Sequence, residues 1–330
     1  HRNKGRKTNK GVHVIHNHAI TMYIAKTMSG MEDIAAKEVK GKAILPQTVT
    51  FAKEKKDVRT INMTYELFNQ ITFASLNDIV KGTDKFIKEL KKKEKYEIRC
   101  VRKGEHPFKS VDAATEVGTY LREKGIIIDY KEAKQAIIID IIDNNCLFGV
   151  IKEKELCKRQ YRVKYNNKSI SSCIAAAVIM FANPKKTDVI LDPLCKDGVI
   201  PVEAHMLGIK KIHAIDPIKN NVRNAVINCK YAKTKITPQC YEVTWLDTLF
   251  KKNDIDHIIT NILLSKHDKE PEKFVKEFFH QAEFIVKEAV TIITNKPEII
   301  KNNASPWKVK DEKNITVGEM YYTAIKFKKD

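Results

Sequence analysis

The sequence predicts two successive α/β units, an N-terminal α+β module and a C-terminal doubly wound parallel sheet with an antiparallel edge. Three observations predict this. The chain has 330 residues, and single cores stop growing at about 250–300 residues, so more than one domain is expected. Hydrophobic residues make up 43% of it, which is enough to build packed cores. The rhythm also changes after Lys168: separate strand–helix pairs and a hairpin precede it, and strands alternating with helices follow it.

Residues 1–20 read as a basic tail, because Arg2, Lys4, Arg6, Lys7 and Lys10 stand among Asn and Gly with almost no apolar periodicity. Order is expected from Met22, where MYIAKT alternates as a strand, Gly30 punctuates it, and the helical MEDIAAKEVK is closed by Gly41. A strand at Gln47–Ala52 and a helix-like stretch at Thr64–Leu67 complete a small module over 21–68. A second module, 69–155, begins with extended Ile71–Ser75 and a helix over Leu76–Leu90 that turns Lys81, Lys85 and Lys88 outward. Strand Lys95–Arg102 then enters a polar loop containing Gly104 and Pro107. Val111, Ala114, Val117, Gly118 and Leu121 recur at helical spacing between Ser110 and Glu123, and Gly125 stops that helix. Strands Ala136–Ile142 and Cys146–Ile151 pair across Asp143, Asn144 and Asn145, residues that tolerate a tight hairpin turn.

A linker over 156–169 leads into the last domain, 170–330. Its strands are expected at Asp188–Leu191, Lys211–Ile215, Gln239–Thr244, His257–Thr260 and Val290–Thr294. Trp307–Asp311 and Tyr321–Lys328, on either side of a Gly318 segment, form the antiparallel edge.

Composition narrows the function classes. With 60 Lys and Arg against 41 Asp and Glu, the formal charge is +19, and such a field attracts polyanions. The longest apolar runs, such as Ala136–Ile142, are too short to cross a bilayer, and no cleavable secretory segment is read. A cytoplasmic protein without membrane contact is expected. Seven cysteines (Cys100, Cys146, Cys157, Cys173, Cys195, Cys229 and Cys240) stand singly, with no Cys-x-x-Cys pair and no zinc spacing. Reduced, mostly buried thiols and no metal are therefore expected.

The stretch RKGEHPFKSVDAATEVGTYL, Arg102–Leu121, is similar to the signature of THUMP domains, in which a strand ends in a basic loop with His-Pro-Phe before a helix. With YIAKTMSGMEDIAAKEV upstream, it resembles the ferredoxin-like plus THUMP pairing of RNA-modifying enzymes over most of residues 22–155. Arg102, Lys103, His106 and Lys109 crowd a loop entering a helix N-terminus, where backbone N–H groups favour phosphate, and they are the candidate RNA contacts. Phe108 is expected to anchor the loop hydrophobically. The linker LCKRQYRVKYNN, Leu156–Asn167, is similar to the Lys-Arg-x-Tyr-Arg linker of THUMP-containing tRNA guanine-N2 methyltransferases, which adds Arg159, Tyr161 and Arg162 to the RNA contacts. The resemblance implies a grip on the single-stranded acceptor end of tRNA.

Downstream, VILDPLCKDGVIPVEA, Val189–Ala204, looks like that family's cofactor loop, with Asp192, Pro193, Cys195, Gly198 and Glu203 in place. Asp216, in HAIDP, falls at the ribose-holding position and Asp247, in VTWLDTL, at the adenine-proximal one. The resemblance thus implies a Rossmann-like class I methyltransferase domain. S-adenosylmethionine would be held by Asp192, Cys195, Gly198, Asp216 and Asp247.

The chain departs from the family in three places. Asn166, Asn167 and Lys168 replace a Pro-containing turn. Lys196 stands where the loop's first glycine lets the backbone approach the cofactor, and Asp197 replaces a small Ser, adding negative charge near the cofactor's carboxylate. DHIITNILLSK, Asp256–Lys266, keeps only Asn261 of the Asn-Pro-Pro-Tyr motif, in which Asn and a backbone carbonyl accept hydrogen bonds from the target amine. Ile262, Leu263 and Leu264 supply neither the proline-set turn nor a stacking face. The expectation is an RNA-binding, tRNA-directed protein whose degenerate methyltransferase domain serves as a platform for RNA or a partner protein. The alternatives are an active tRNA guanine-N2 methyltransferase in which Asn261 is the catalytic residue, and a relative of the DNA-directed adenine methyltransferases, which use Asn-Pro-Pro-Tyr-type motifs.

Overall fold

The structure, a computed structural model, describes residues 21–329, so the basic tail expected at 1–20 lies outside the described residues. The N-terminal half comprises β1 (Met22–Lys26), α1 (Glu32–Val39), β2 (Lys42–Leu45), β3 (Thr48–Phe51), β4 (Met63–Thr72), α2 (Leu76–Gly82), β5 (Lys95–Lys103), α3 (Ser110–Glu123), β6 (Ile127–Ile128), β7 (Gln135–Ile142) and β8 (Asn145–Glu153). All eight strands belong to one sheet of order β2-β3-β1-β4-β8-β7-β5-β6. β4 pairs antiparallel with β1 on one side and β8 on the other, so the modules expected at 21–68 and 69–155 share a continuous sheet.

Two local expectations are corrected here. Thr64–Leu67 is strand, not helix: Met63–Thr72 is rich in β-branched and aromatic residues, and Tyr65 is fully buried opposite Ile24 and Ile151. Pairing on both edges overrides the local pattern. The helix expected over Leu76–Leu90 ends at Gly82 and continues as two 3-10 turns, Thr83–Lys85 and Ile87–Glu89. Its start is set by Ser75, whose side chain accepts from the Asp78 N–H while Asp78 accepts from the Ser75 N–H. Its end is pressed onto the sheet, since a Cβ on Gly82 would come within 2.8 Å of the Ile71 side chain. α3 has the expected bounds and buries Ala113, Val117, Gly118 and Leu121.

The C-terminal half comprises α4 (Ser172–Ala182), β9 (Val189–Asp192), α5 (Val199–Met206), β10 (Lys211–Ala214), α6 (Lys219–Tyr231), α7 (Leu246–Leu249), β11 (Ile255–Ile262), α8 (Pro271–Ile285), β12 (Val286–Thr294), α9 (Pro297–Asn302), β13 (Lys308–Val317) and β14 (Met320–Lys328). The sheet order is β10-β9-β11-β12-β14-β13, parallel through β12 and antiparallel over the last two strands. The strand expected at Gln239–Thr244 is reduced to a single bridge between Gln239 and Ile215. Pro238 has no N–H for a ladder bond, and the chain turns into a 3-10 helix at Val243–Trp245. α4 is apolar on all sides, as a helix buried between layers must be. It packs against Met28, Met31 and Ile34 of the N-terminal half and against Ile190, Ile200 and Ile259 of the parallel sheet.

Cys157 and Cys173 form a disulfide with a Cα–Cα distance of 5.2 Å, which corrects the expectation of uniformly reduced thiols. It ties the linker to α4. Among the described residues, no helix is long and apolar enough to cross a membrane.

Candidate functional site

The C-terminal ends of β9, β10 and β11 lie side by side, at the edge where open parallel sheets receive ligands in a crevice. Between β9 and α5 the chain passes through Pro193 to Gly198. Gly198 has φ of 78°, and a Cβ there would come within 3.1 Å of Ala225, so the missing side chain lets the loop lie on α6. Lys196 also sits in the left-handed region, φ 50°, where a side chain is disfavoured by roughly 1–2 kcal/mol. Its backbone N–H donates to Asp216 Oδ2 at 2.9 Å and joins the loop to the end of β10.

The Lys196 side chain turns inward and the residue is only 9% exposed. Its ammonium donates to the Asn261 carbonyl oxygen at 2.7 Å, to Asn261 Oδ1 at 3.2 Å and to the Leu194 carbonyl oxygen at 3.1 Å. Three donors thus meet three acceptors. The Asn261 amide nitrogen donates to the Lys168 carbonyl oxygen at 2.9 Å, which orients the side chain and leaves Oδ1 facing the lysine. Asn261 Oδ1, the side-chain acceptor that the family resemblance assigns to a target amine, is therefore taken by an amine of the chain itself.

Burial pushes Lys196 below its ordinary value and Asp192 up to about 7; the Thr260 hydrogen bond and the Lys196 charge partly oppose the Asp192 shift. Asp192 Oδ1 accepts from the Thr260 hydroxyl at 2.7 Å and the Leu194 N–H at 3.2 Å, while Oδ2 is buried with no partner among the described residues. A carboxyl near 7 when folded, against about 4 when unfolded, binds a proton on folding between those values. Stability should therefore fall as pH rises from about 4 to 7 and level off above. Asp192→Asn is expected to flatten that slope and, at pH 8, to exceed the parent by on the order of 1–4 kcal/mol. Urea unfolding at pH 5 and pH 8 measures it, and an unchanged slope would assign the effect elsewhere.

Asp197, next in the loop, is fully buried. Both its oxygens are engaged: Arg162 donates to Oδ2 at 2.7 and 3.0 Å, the Asn166 N–H to Oδ2 at 3.2 Å and the Ser169 hydroxyl to Oδ1 at 2.6 Å. Asn228 fastens the same loop by donating to the carbonyl oxygens of Asp197 and Lys164, each at 2.8 Å. Linker residues 162–169 are thus stitched over the loop. This revises three expected RNA contacts. Arg162 is spent on Asp197, and Tyr161 is buried with its hydroxyl donating to Glu203 at 2.8 Å. Arg159 donates to Glu203 Oε1 at 3.2 Å and to the Arg59 carbonyl oxygen at 2.8 Å. A buried carboxylate recruits each of these side chains before RNA could.

Asp216 is 2% exposed and accepts from Lys196 N–H, from Ile218 N–H at 3.0 Å and from Asn221 at 2.9 Å. Cys195 faces a cluster with Ala214 and Ala225, and burial raises its thiol well above the ordinary value. Asp247 is exposed on α7, its N–H donating to Gln281 of α8 at 2.9 Å, while the preceding Leu246 packs with Leu191 and Ile215. Beyond Asn261, Ile262 and Leu264 are buried in the core, and Asn295 clamps Leu264 through its N–H at 2.9 Å and its carbonyl oxygen at 3.0 Å.

In the N-terminal half, Phe108 packs between Phe73 and His106 as an anchor. Arg102 donates to His106 Nδ1 at 3.0 Å, which makes Nε2 the donor to the Asp143 carbonyl oxygen at 2.6 Å. His106 shapes the loop, while Lys103 and Lys109 stay exposed, Lys109 just before α3. Nothing in the sequence marked Thr260, Asn228 or Asn295 as parts of this arrangement, because each is a common polar residue whose partner lies far along the chain. Among the described residues, no group of three His, Cys, Asp or Glu is placed to hold a metal ion.

Comparison with known proteins agrees with this architecture. The THUMP domain family matches residues 73–150, and the RMKL-like methyltransferase domain family matches residues 159–322. The chain is 24% identical over 211 residues to a tRNA (guanine(6)-N2)-methyltransferase of Archaeoglobus fulgidus, covering 57% of this chain and 54% of that protein. It therefore spans about half the length of that relative. Among solved structures, TrmN from Thermus thermophilus superposes with a TM-score of 0.80 at 19% identity, covering 94% of this chain and 100% of that one. SMU.472 complexed with SAH superposes with a TM-score of 0.78 at 14% identity, covering 94% and 98%. The chain thus carries a THUMP domain followed by a Rossmann-like methyltransferase domain of the RMKL-like family.

Proposed function

We propose that the chain binds RNA, tRNA in the first instance, and that its methyltransferase half is closed to methyl transfer. The Lys196 ammonium on both Asn261 acceptors carries this reading. S-adenosylmethionine is the cofactor that the fold family implies. As they stand, the residues present do not fit it: the lysine side chain crosses the crevice between Leu194 and Asn261, and Asp216 and Asp197 are already engaged by protein donors. The loop after Asn261, folded into the core with Leu264 clamped by Asn295, offers no stacking face for a base.

RNA binding is supported by the +19 charge and by the cations of the THUMP half. Lys103 and Lys109 stand exposed at the α3 entrance. At the other end of α3, a concave surface of about 940 Å³ is lined by Lys85, Lys88, Lys92 and Lys124 with Asp84 as the one acid. Phosphates neutralised by such lysines release counterions, so affinity should be salt-sensitive. With about six phosphate contacts, tRNA affinity is expected to fall roughly a thousand-fold between 50 and 200 mM salt. Failure to shift tRNA at low salt would end the proposal. Competition with duplex DNA tests the DNA-directed alternative.

A second reading, an active guanine-N2 methyltransferase, draws on one observation: Asp192, Asp216 and Asn261 remain together at the strand ends. It requires Lys196 to withdraw when RNA or a partner protein binds. Transfer of labelled methyl to tRNA would support it, and calorimetry showing no cofactor binding with or without RNA would count against it.

A further inference from the structure

Beside the closed Asn261 seat lies a second concavity, of about 390 Å³, bounded by Asn167, Lys168, Leu264, Asn295, Tyr321 and Tyr322. A smaller one of about 320 Å³ adjoins it and shares Asn295, Tyr321 and Tyr322. The first is the size of a small-ligand cleft, roughly 300–1,000 Å³. Lys168, which lines it, also accepts the Asn261 amide on its carbonyl oxygen at 2.9 Å, so the concavity adjoins the closed seat. Its floor is the leucine-bearing loop that Asn295 holds rigid at both Leu264 backbone groups.

The rim has the chemistry of nucleotide recognition. Tyr321, at the start of the last hairpin strand, is 72% exposed and presents an aromatic ring to solvent at the mouth. An exposed aromatic over a polar-rimmed cleft is a stacking platform for any base. Asn167, exposed at the opposite edge, carries an amide that both donates and accepts, as base edges require. Lys168, Lys266 and Lys296 are exposed around the same strand ends, against Asp268, which pairs with Lys168 at 3.3 Å, and Glu319, exposed beside Met320. The surplus of positive charge selects a polyanion over a neutral aromatic ligand.

We propose that this cleft holds one unpaired nucleotide of the bound RNA, its base stacked on Tyr321, its edge toward Asn167 and its phosphate against the lysines. The proposal rests on the RNA-binding reading above. It gives the methyltransferase half an RNA contact that needs neither cofactor nor catalysis.

The test is tRNA affinity of the full chain, by fluorescence anisotropy at 50 mM salt, for the parent, Tyr321→Ala and Tyr321→Phe. Stacking on one side chain predicts a roughly 5- to 100-fold loss for Tyr321→Ala and retention for Tyr321→Phe. Because the side chain is largely exposed, both variants should unfold at the parent's temperature, which a melt verifies. A parent that fails to bind tRNA sinks the RNA-binding reading and this one together. A parent that binds, with Tyr321→Ala equally tight, overturns this inference alone. Guanosine monophosphate provides the remaining arm: affinity equal to that of tRNA would make the cleft a free-nucleotide site and overturn the assignment to RNA.

Discussion

Glu203→Ala is expected to cost about 3–5 kcal/mol of stability, the largest loss from any single side chain considered for this protein. The carboxylate is fully buried in α5 and gathers two segments remote in sequence. Arg59, between β3 and β4, donates to Oε2 at 2.6 Å and to Oε1 at 3.0 Å. Arg159 and Tyr161 of the linker donate to Oε1 at 3.2 and 2.8 Å. Removing the acid leaves two largely buried guanidinium groups and a buried phenol without that acceptor. The penalty is that of buried unpaired charge, larger than the value of the intact pair. Each kcal/mol lowers Tm by roughly 2–4 °C in domains of 150–250 residues, so a fall on the order of 10 °C is expected. Glu203→Gln keeps the shape and one acceptor and should fall between parent and Ala. A melt of Glu203→Ala within 2 °C of the parent would show that the N-terminal half, linker and α5 hold together without this knot.

The same residue shows where reading a sequence succeeds and where it stops. Glu203 is recognisable as a motif position, but its partner Arg59 lies 144 residues away, and no local pattern announces such a pair. Elements governed by near neighbours were legible: α3 from its apolar spacing, the β7–β8 hairpin from its turn residues, β9 from its place before the loop. Elements decided by distant pairing were not. β4 looked helical over four residues until β1 and β8 flanked it, and Gln239 looked like the start of a strand although the chain makes one bridge there and then turns into a 3-10 helix. In the candidate site, Arg162 looked like an RNA contact because it is a cation in a basic linker. Asp197, 35 residues on, turns it inward. Cys157 and Cys173 are isolated in sequence and meet only because the linker folds back on α4. The THUMP loop was read in greater depth because its anchor, Phe108, and its basic residues are contiguous.

Lys196→Gly is expected to bind S-adenosylmethionine about 100-fold or more tightly than the parent does. Two effects act in the same direction. The side chain vacates the crevice between Leu194 and Asn261, and the ammonium no longer opposes the cofactor's sulfonium, a like-charge contact worth several kcal/mol, of which about 3 suffices for 100-fold. The backbone favours the change as well, since φ of 50° is a glycine conformation that lysine holds only under strain. Three carbonyl-type acceptors lose their donor, so the net effect on folding should be small: relief of strain against loss of hydrogen bonds that water can replace once the crevice opens. Calorimetry on parent and variant reads the binding. Equal binding by both would clear the lysine of blocking the crevice, and absence in both would move the obstruction to Asp197 and the linker stitched over it. Methyl transfer to tRNA should remain absent even in a variant that binds the cofactor, because Ile262 and Leu264 stay in the core and leave a base unsupported. Binding without transfer would separate two losses, one reversible at a single position and the other written into the loop that follows Asn261.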